Sequence, residues 1–109
     1  MKSLKTVLEL DFYGNLLTPR MRDICELYLF DDLSLAEIAE QKEISRQAVH
    51  DTVKRASAIL DGYEEKLGLV ERFKAEKSSV YEAIKLMDAG NYQEAKAKLI
   101  DIRNDIITE

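Results

Sequence analysis

Ser45, Arg46, Gln47, His50, Lys54 and Arg55 fall within eleven consecutive positions and offer hydrogen bonds and charge to a phosphate backbone or an acidic protein face. At helical spacing, Arg46, Gln47, His50 and Lys54 come to one side, where they reach bases or phosphates if the helix enters a groove. Ser45 is the residue type that opens a helix, because its hydroxyl accepts from a backbone N–H of the first turn. The chemistry read from this run is recognition, not catalysis. The chain has one His, one Cys and no Gly-rich phosphate loop, so no acid/base or nucleophilic constellation meets the minimum geometry of an active site.

A helix must hold these residues, and the sequence writes one with its partner. Residues 33 to 60 read LSLAEIAEQKEISRQAVHDTVKRASAIL. Ser34 and Glu37 form a Ser-x-x-Glu capping box, and Leu35, Ile38 and Ala39 give the short helix after it a buried stripe. Ile44 plugs the corner before Ser45 caps a longer second helix. This is the pattern of a helix-turn-helix, with the second helix as the recognition helix. The turn, Gln41-Lys42-Glu43-Ile44, lacks the Gly common there. A left-handed Glu43 would cost roughly 1 to 2 kcal/mol, so either the turn is wider or packing holds it.

The second helix continues beyond a minimal motif. Val49, Val53, Ala56, Leu60, Tyr63 and Leu67 are spaced four, three, four, three and four apart, an apolar seam that makes it a spine as well as a contact surface. Gly62 inside it permits a close crossing or a slight bend. Gly68 is a candidate C-cap after which Leu69 and Val70 let a helix resume.

Upstream, Leu4, Val7, Leu8 and Phe12 predict a first helix over 2–13, ended by Gly14-Asn15 in a left-handed conformation. Thr18-Pro19 starts a second helix over about 18–30, with Met21, Ile24, Cys25, Tyr28 and Leu29 on one face. Asp31-Asp32 reads as a turn whose charges favour the next helix N-terminus, not as a metal site. Downstream, Val70, Phe73, Lys77, Val80, Ile84 and Met87 keep helical register up to Ala89-Gly90-Asn91. A last helix places Tyr92, Ala95, Leu99, Ile102 and Ile106 inward and Glu94, Lys96, Lys98, Asp101, Arg103 and Asp105 outward. The sequence therefore predicts a helix-turn-helix domain over 1–69 and a C-terminal helical hairpin over 70–109. The hairpin is compatible with closing on the core and with pairing to a second copy as a homodimer.

Composition sets limits. The formal net charge of −5 opposes non-specific coating of nucleic acid, which depends on Lys and Arg neutralising phosphates. Contact must be local, at the positive stretch carrying Arg46, Lys54 and Arg55, and assisted by a protein partner. One Cys and one His exclude a disulfide framework or a Cys/His metal site within one chain. No run reaches the roughly 18 to 20 apolar residues of a membrane span, and Glu9 and Asp11 interrupt any signal-peptide core, so a cytoplasmic protein without membrane insertion is expected. No cofactor is implied.

The run DFYGNLLTPRMRDICELYLFDDLSLAEIAEQKEISRQAVHDTVKRASAIL resembles region 4 of bacterial sigma-70-type factors, in which LTPR-like residues precede SLAEIAE and ISRQAV-like segments. The pairing of DFYGNLLT with YLFDDLSLAEIAEQKEISRQAVHDTVKR and then DGYEEKLGL is similar to the YlxM family of small bacterial proteins. Two departures stand out: Lys42-Glu43 replaces the usual apolar-Gly pair, and His50 stands where Tyr is frequent. The resemblance implies an all-α, sigma-70 region 4-like helix-turn-helix bundle. It also implies an accessory or regulatory protein of the signal recognition particle pathway of Gram-positive bacteria, contacting the particle's GTPase and its small RNA. The alternative is a DNA-binding transcription regulator of the sigma region 4-like class, reading two half-sites through a dimer.

Overall fold

The computed structural model describes residues 2 to 107, with the side chain of Ile107 outside the description, as is the expected end of the hairpin at 108–109. Among the described residues the chain is all-α: α1 (Leu4–Tyr13), a 3-10 turn (Gly14–Leu16), α2 (Pro19–Leu29), α3 (Leu35–Lys42), α4 (Arg46–Leu67), α5 (Leu69–Asp88) and α6 (Tyr92–Ile107). The helix-turn-helix bundle expected from the sequence is what forms. Two compact units result, one ending at Val70 and the other starting at Glu71.

In the first unit each helix starts where a side chain satisfies an otherwise orphaned backbone N–H. Ser3 accepts from Thr6 N at 3.2 Å, Thr18 from Met21 N at 3.3 Å with Pro19 following, and Ser45 from Ala48 N at 3.0 Å. The capping box of α3 is complete, with both reciprocal bonds between Ser34 and Glu37 at 3.0 Å.

Two apolar clusters meet on α4. Ile24, Ile38, Ala39, Val49 and Val53 join α2 and α3 to its first half. Leu10, Tyr13, Leu17, Met21, Cys25, Leu29, Ala56, Leu60 and Val70 join α1 and α2 to its second half. Val49, Val53, Ala56 and Leu60 are fully buried, so α4 is the element common to both halves of the core.

Several expectations need correction. On α1 the buried residues are Glu9, Leu10 and Tyr13, while Leu4 and Phe12 are exposed, because α1 packs on both α2 and α4 and its buried arc turns toward both. Gly14 is right-handed (φ −56°), not left-handed. It is buried against Leu10, whose Cδ1 would lie 3.2 Å from an added Cβ, so close approach is what a side chain there would disturb. Gly62 mediates no close crossing, since a Cβ there meets nothing within 4 Å. The seam of α4 stops short: Tyr63 is half-buried and Leu67 is 55 % exposed. Gly68, left-handed at φ 63°, ends α4, and α5 follows at once, placing Val70 in the core cluster that Leu67 does not join.

In the second unit α5 and α6 form a hairpin around Gly90 (φ 83°), with Asn91 N donating to Leu86 O at 2.8 Å. Lys98 pairs with Glu82, and the Arg72 guanidinium donates to the Asp105 carbonyl. Its apolar residues are only partly arranged as predicted, with Ala95 buried and Ile102 half-buried as expected inward residues. Ala83 and Ala95 are buried, while Phe73, Val80, Ile84, Met87, Tyr92, Leu99 and Ile106 are exposed. Lys98, expected outward, is half-buried. The small Ala83 and Ala95 hold the inner positions, and helix spacing follows the side chains at the contact, so the large apolar side chains lie on the flanks.

Candidate nucleic-acid interface

The α3–α4 corner is built by backbone hydrogen bonds. Glu43 takes the left-handed conformation (φ 57°, ψ 43°). Its N–H donates to Glu40 O at 3.3 Å, and Ile44 N donates to Ala39 O at 3.0 Å. This is a Schellman ending, completed by Ile44 and Ala39 sharing one apolar cluster. The turn is therefore tight, and packing holds the residue that the missing Gly leaves strained.

The corner aims the first turns of α4 outward. Successive helical residues are about 100° apart, so Arg46, His50 and Lys54 stack along one stripe, Gln47 and Asp51 along the next, and Arg55 beyond Asp51. Arg46, Gln47, Lys54 and Arg55 are exposed, and the His50 side chain is 40 % exposed. The structure thus brings Arg46, His50 and Lys54 to one side of α4 with Gln47 beside them, while Arg55, nine positions after Arg46, lies half a turn round the helix from it and Ser45 is committed to the cap.

Asp51 lies among them, and its role goes unnoticed when the residues are read only for positive charge. Its Oδ1 accepts from Gln47 Nε2 at 2.8 Å and lies 3.6 Å from His50 Nδ1. The i, i+4 spacing of Gln47 and Asp51 is the signal that finds this bond. His50 Nδ1 is buried without a hydrogen-bond partner. Free charge is distributed unevenly. Lys2 pairs with Asp32, Lys5 with Glu9 and Asp61, Arg22 with Glu26, and Lys42 with Asp23. Arg46, Lys54 and Arg55, like Arg20 and Lys66 elsewhere in the unit, have no ion pair or hydrogen bond among the described residues. Nearby α3 exposes Glu37, Glu40 and the following Glu43. The Ser34 backbone N–H, and then its hydroxyl, hold the Glu37 carboxyl below the usual carboxylate range.

A second polar cluster, on α1 and the end of α4, is absent from any sequence motif. Tyr13 Oη donates to Glu64 Oε1 at 2.6 Å and accepts from Leu69 N at 3.0 Å, and Val70 N donates to the same Glu64 oxygen at 2.9 Å. Burial, then the bond to Glu64, push the Tyr13 hydroxyl up from its ordinary value. Glu9 lies buried beside this network. Cys25 is buried as expected, and burial raises its thiol to about 11, so it is no ready nucleophile. Among the described residues no helix is long and apolar enough to cross a membrane.

Comparison with known proteins agrees with this architecture. Residues 1–102 match the family described as "Putative helix-turn-helix protein, YlxM / p13 like", UPF0122. A UPF0122 protein of Desulforamulus reducens is 55 % identical over 85 residues, covering 78 % of this chain and 73 % of that protein. One from Shouchella clausii is 42 % identical over 100 residues and covers 92 % of each chain. The UPF0122 protein YlxM of Bacillus subtilis is 45 % identical over 84 residues, covering 77 % of this chain and 76 % of the relative. With the matched region running from α1 into α6, through the helix-turn-helix and its capped corner, the chain belongs to the UPF0122 family of YlxM-like helix-turn-helix proteins.

Proposed function

We propose that this chain is an accessory protein of the signal recognition particle pathway whose α4 face contacts the particle's RNA, its GTPase, or both. The observation that carries the contact site is the grouping of three uncommitted cations, Arg46, Lys54 and Arg55, within ten positions of α4, in a unit whose Lys2, Lys5, Arg22 and Lys42 are paired and whose other unpaired cations, Arg20 and Lys66, lie apart from them in the sequence. The pathway itself rests on the resemblance to the YlxM family. Base readout in a DNA major groove is opposed by two features. Gln47 has its amide held by Asp51, and the acidic face of α3 would approach phosphates if that helix crossed a duplex backbone. A deep, narrow A-form groove would likewise deny the helix entry, so RNA contact would use loops and backbone.

The test is to titrate the purified chain against random duplex DNA, the particle's RNA and the particle's GTPase across a salt series. Binding to RNA or GTPase is expected, weakened by Arg46→Ala and Lys54→Ala. With three cations available, the RNA log–log salt slope should be no steeper than about −2. Duplex binding that is salt-sensitive and lost in both variants, with no response to RNA or GTPase, would instead make the chain a DNA-binding transcription regulator.

The hairpin supports self-association of the chain. Val80, Tyr81, Ile84 and Met87 form an exposed apolar stripe on α5, beside a groove that Ile102 and Ile106 of α6 help to line. Phe73 and Met87 stand equally far on either side of Val80, with Arg72 and Asp88 one position beyond them. Antiparallel pairing about Val80 therefore sets Phe73 against Met87 of the partner subunit and Arg72 against Asp88 of the partner subunit, a self-complementary arrangement proper to a two-fold dimer.

A further inference from the structure

Between α1 and the second half of α4 lies a carboxyl group that the nucleic-acid face does not use. Glu9 is 0 % exposed, and neither side-chain oxygen has a hydrogen-bond partner. Buried polar groups are seldom left so, and an ionised carboxylate least of all. Lys5, one turn earlier, places its Nζ 3.6 Å from Glu9 Oε2 and 3.6 Å from Asp61 Oδ1. Two carboxylates from different helices thus share one ammonium group.

The surroundings supply nothing else to settle the charge. On its own helix Glu9 has Lys5 and Tyr13 as ionisable neighbours, and α4 presents Asp61 and Glu64. Glu64 is already engaged with Tyr13 Oη and Val70 N. What α2 adds to the adjoining core is Met21, Cys25 and Leu29, and the Cys25 thiol stays neutral. The first turn of α5 adds Val70.

We propose that Glu9 is a proton-operated clasp between α1 and α4. Protonated, it donates its O–H to the Asp61 carboxylate beside the Lys5 ammonium, which satisfies the buried group. Ionised, it sets a buried carboxylate and the exposed Asp61 carboxylate against one lysine, and α1 loosens from α4. The proton exchanges with solvent and no other bond changes. Burial first, and then Asp61, push the Glu9 carboxyl up to about 7, with Lys5 acting in the opposite direction, so the clasp would work near neutrality. Because Tyr13 and Glu64 lie on the same two helices, loosening reaches the bonds that hold Leu69 N and Val70 N. The clasp goes beyond the proposed binding function and does not depend on it.

The experiment uses the full chain from pH 5 to pH 8, reading the Glu9 side-chain carboxyl ¹³C shift and the hydrogen-exchange protection factors of α1 amides. Glu9 should titrate near neutrality. Protection in α1 should fall by at least about tenfold across the range, since one pKa unit of linkage corresponds to about tenfold. Glu9→Gln should remove that fall, and Asp61→Asn should move the Glu9 midpoint down toward ordinary carboxylates. A Glu9 midpoint in the ordinary range, or an unchanged loss of protection in Glu9→Gln, overturns the proposal. If Glu9→Gln does not fold, the wild-type titration and its response to Asp61→Asn decide.

Discussion

Glu43 holds a left-handed backbone that costs an L-residue about 1 to 2 kcal/mol, and it does so because Ala39, Glu40 and Ile44 close the corner around it. Replacing it with Gly relieves the strain but frees the unfolded chain, so Glu43→Gly should stabilise the fold by roughly 1 kcal/mol or less, read as a higher urea midpoint with unchanged slope. Two other glutamates give opposite pH signatures. Glu37, held below its ordinary value by Ser34, contributes stability that is present above the usual carboxylate range and is lost as pH falls through its depressed value. Glu9, raised from 4.5 to about 7, keeps its proton in the folded chain after the unfolded chain has released it. Its contribution is therefore full below about 4.5 and lost as pH rises to about 7, and Glu9→Gln should flatten the urea midpoint between pH 5 and pH 8. Of these residues, the cap is legible in the sequence and the clasp is not. Ser34 and Glu37 announce themselves because their chemistry closes within three positions. Glu9 beside Lys5 reads as a solvated pair, and only the packing of α4 on α1 buries it.

Among the elements, α4 shows where periodicity informs and where it misleads. Its seam from Val49 to Leu60 is correct because two apolar clusters lie against it in succession, but spacing alone carries the pattern on to Leu67. The structure breaks the helix at Gly68 and buries Val70 instead. Leu60→Ala should then cost about 2 to 5 kcal/mol, whereas Leu67→Ala should stay within about 0.5 kcal/mol, a contrast that chemical denaturation of the two variants resolves. In the hairpin the same kind of pattern fails more fully. Spacing identifies which residues share a helix face, but the size of Ala83 and Ala95 decides which face closes inward. The candidate residues Arg46, His50 and Lys54 on α4 are legible as a stripe, since helical spacing places them together, while the uncommitted charge of Arg46, Lys54 and Arg55 appears only once the competing ion pairs are drawn.

At the scale of the whole molecule, the net charge of −5 confines the proposed polyanion contact to a few local cations, and the proposed self-association draws on apolar surface instead. If the hairpin pairs about Val80, the full-length protein should sediment as a dimer and Val80→Lys as a monomer with an intact helical spectrum. A wild-type monomer at high micromolar concentration would remove the pairing. The link from Tyr13 and Glu64 to the first amides of α5 bears on how the chain is made. Starting a helix is its costly step, because several dihedrals are fixed before hydrogen bonds repay them. Here the acceptor for Leu69 N is a tyrosine 56 positions earlier in the chain, already synthesised when α5 emerges from the ribosome. The first two amides of that helix, Leu69 N and Val70 N, thus find their acceptors within the unit that ends at Val70, on residues made before them.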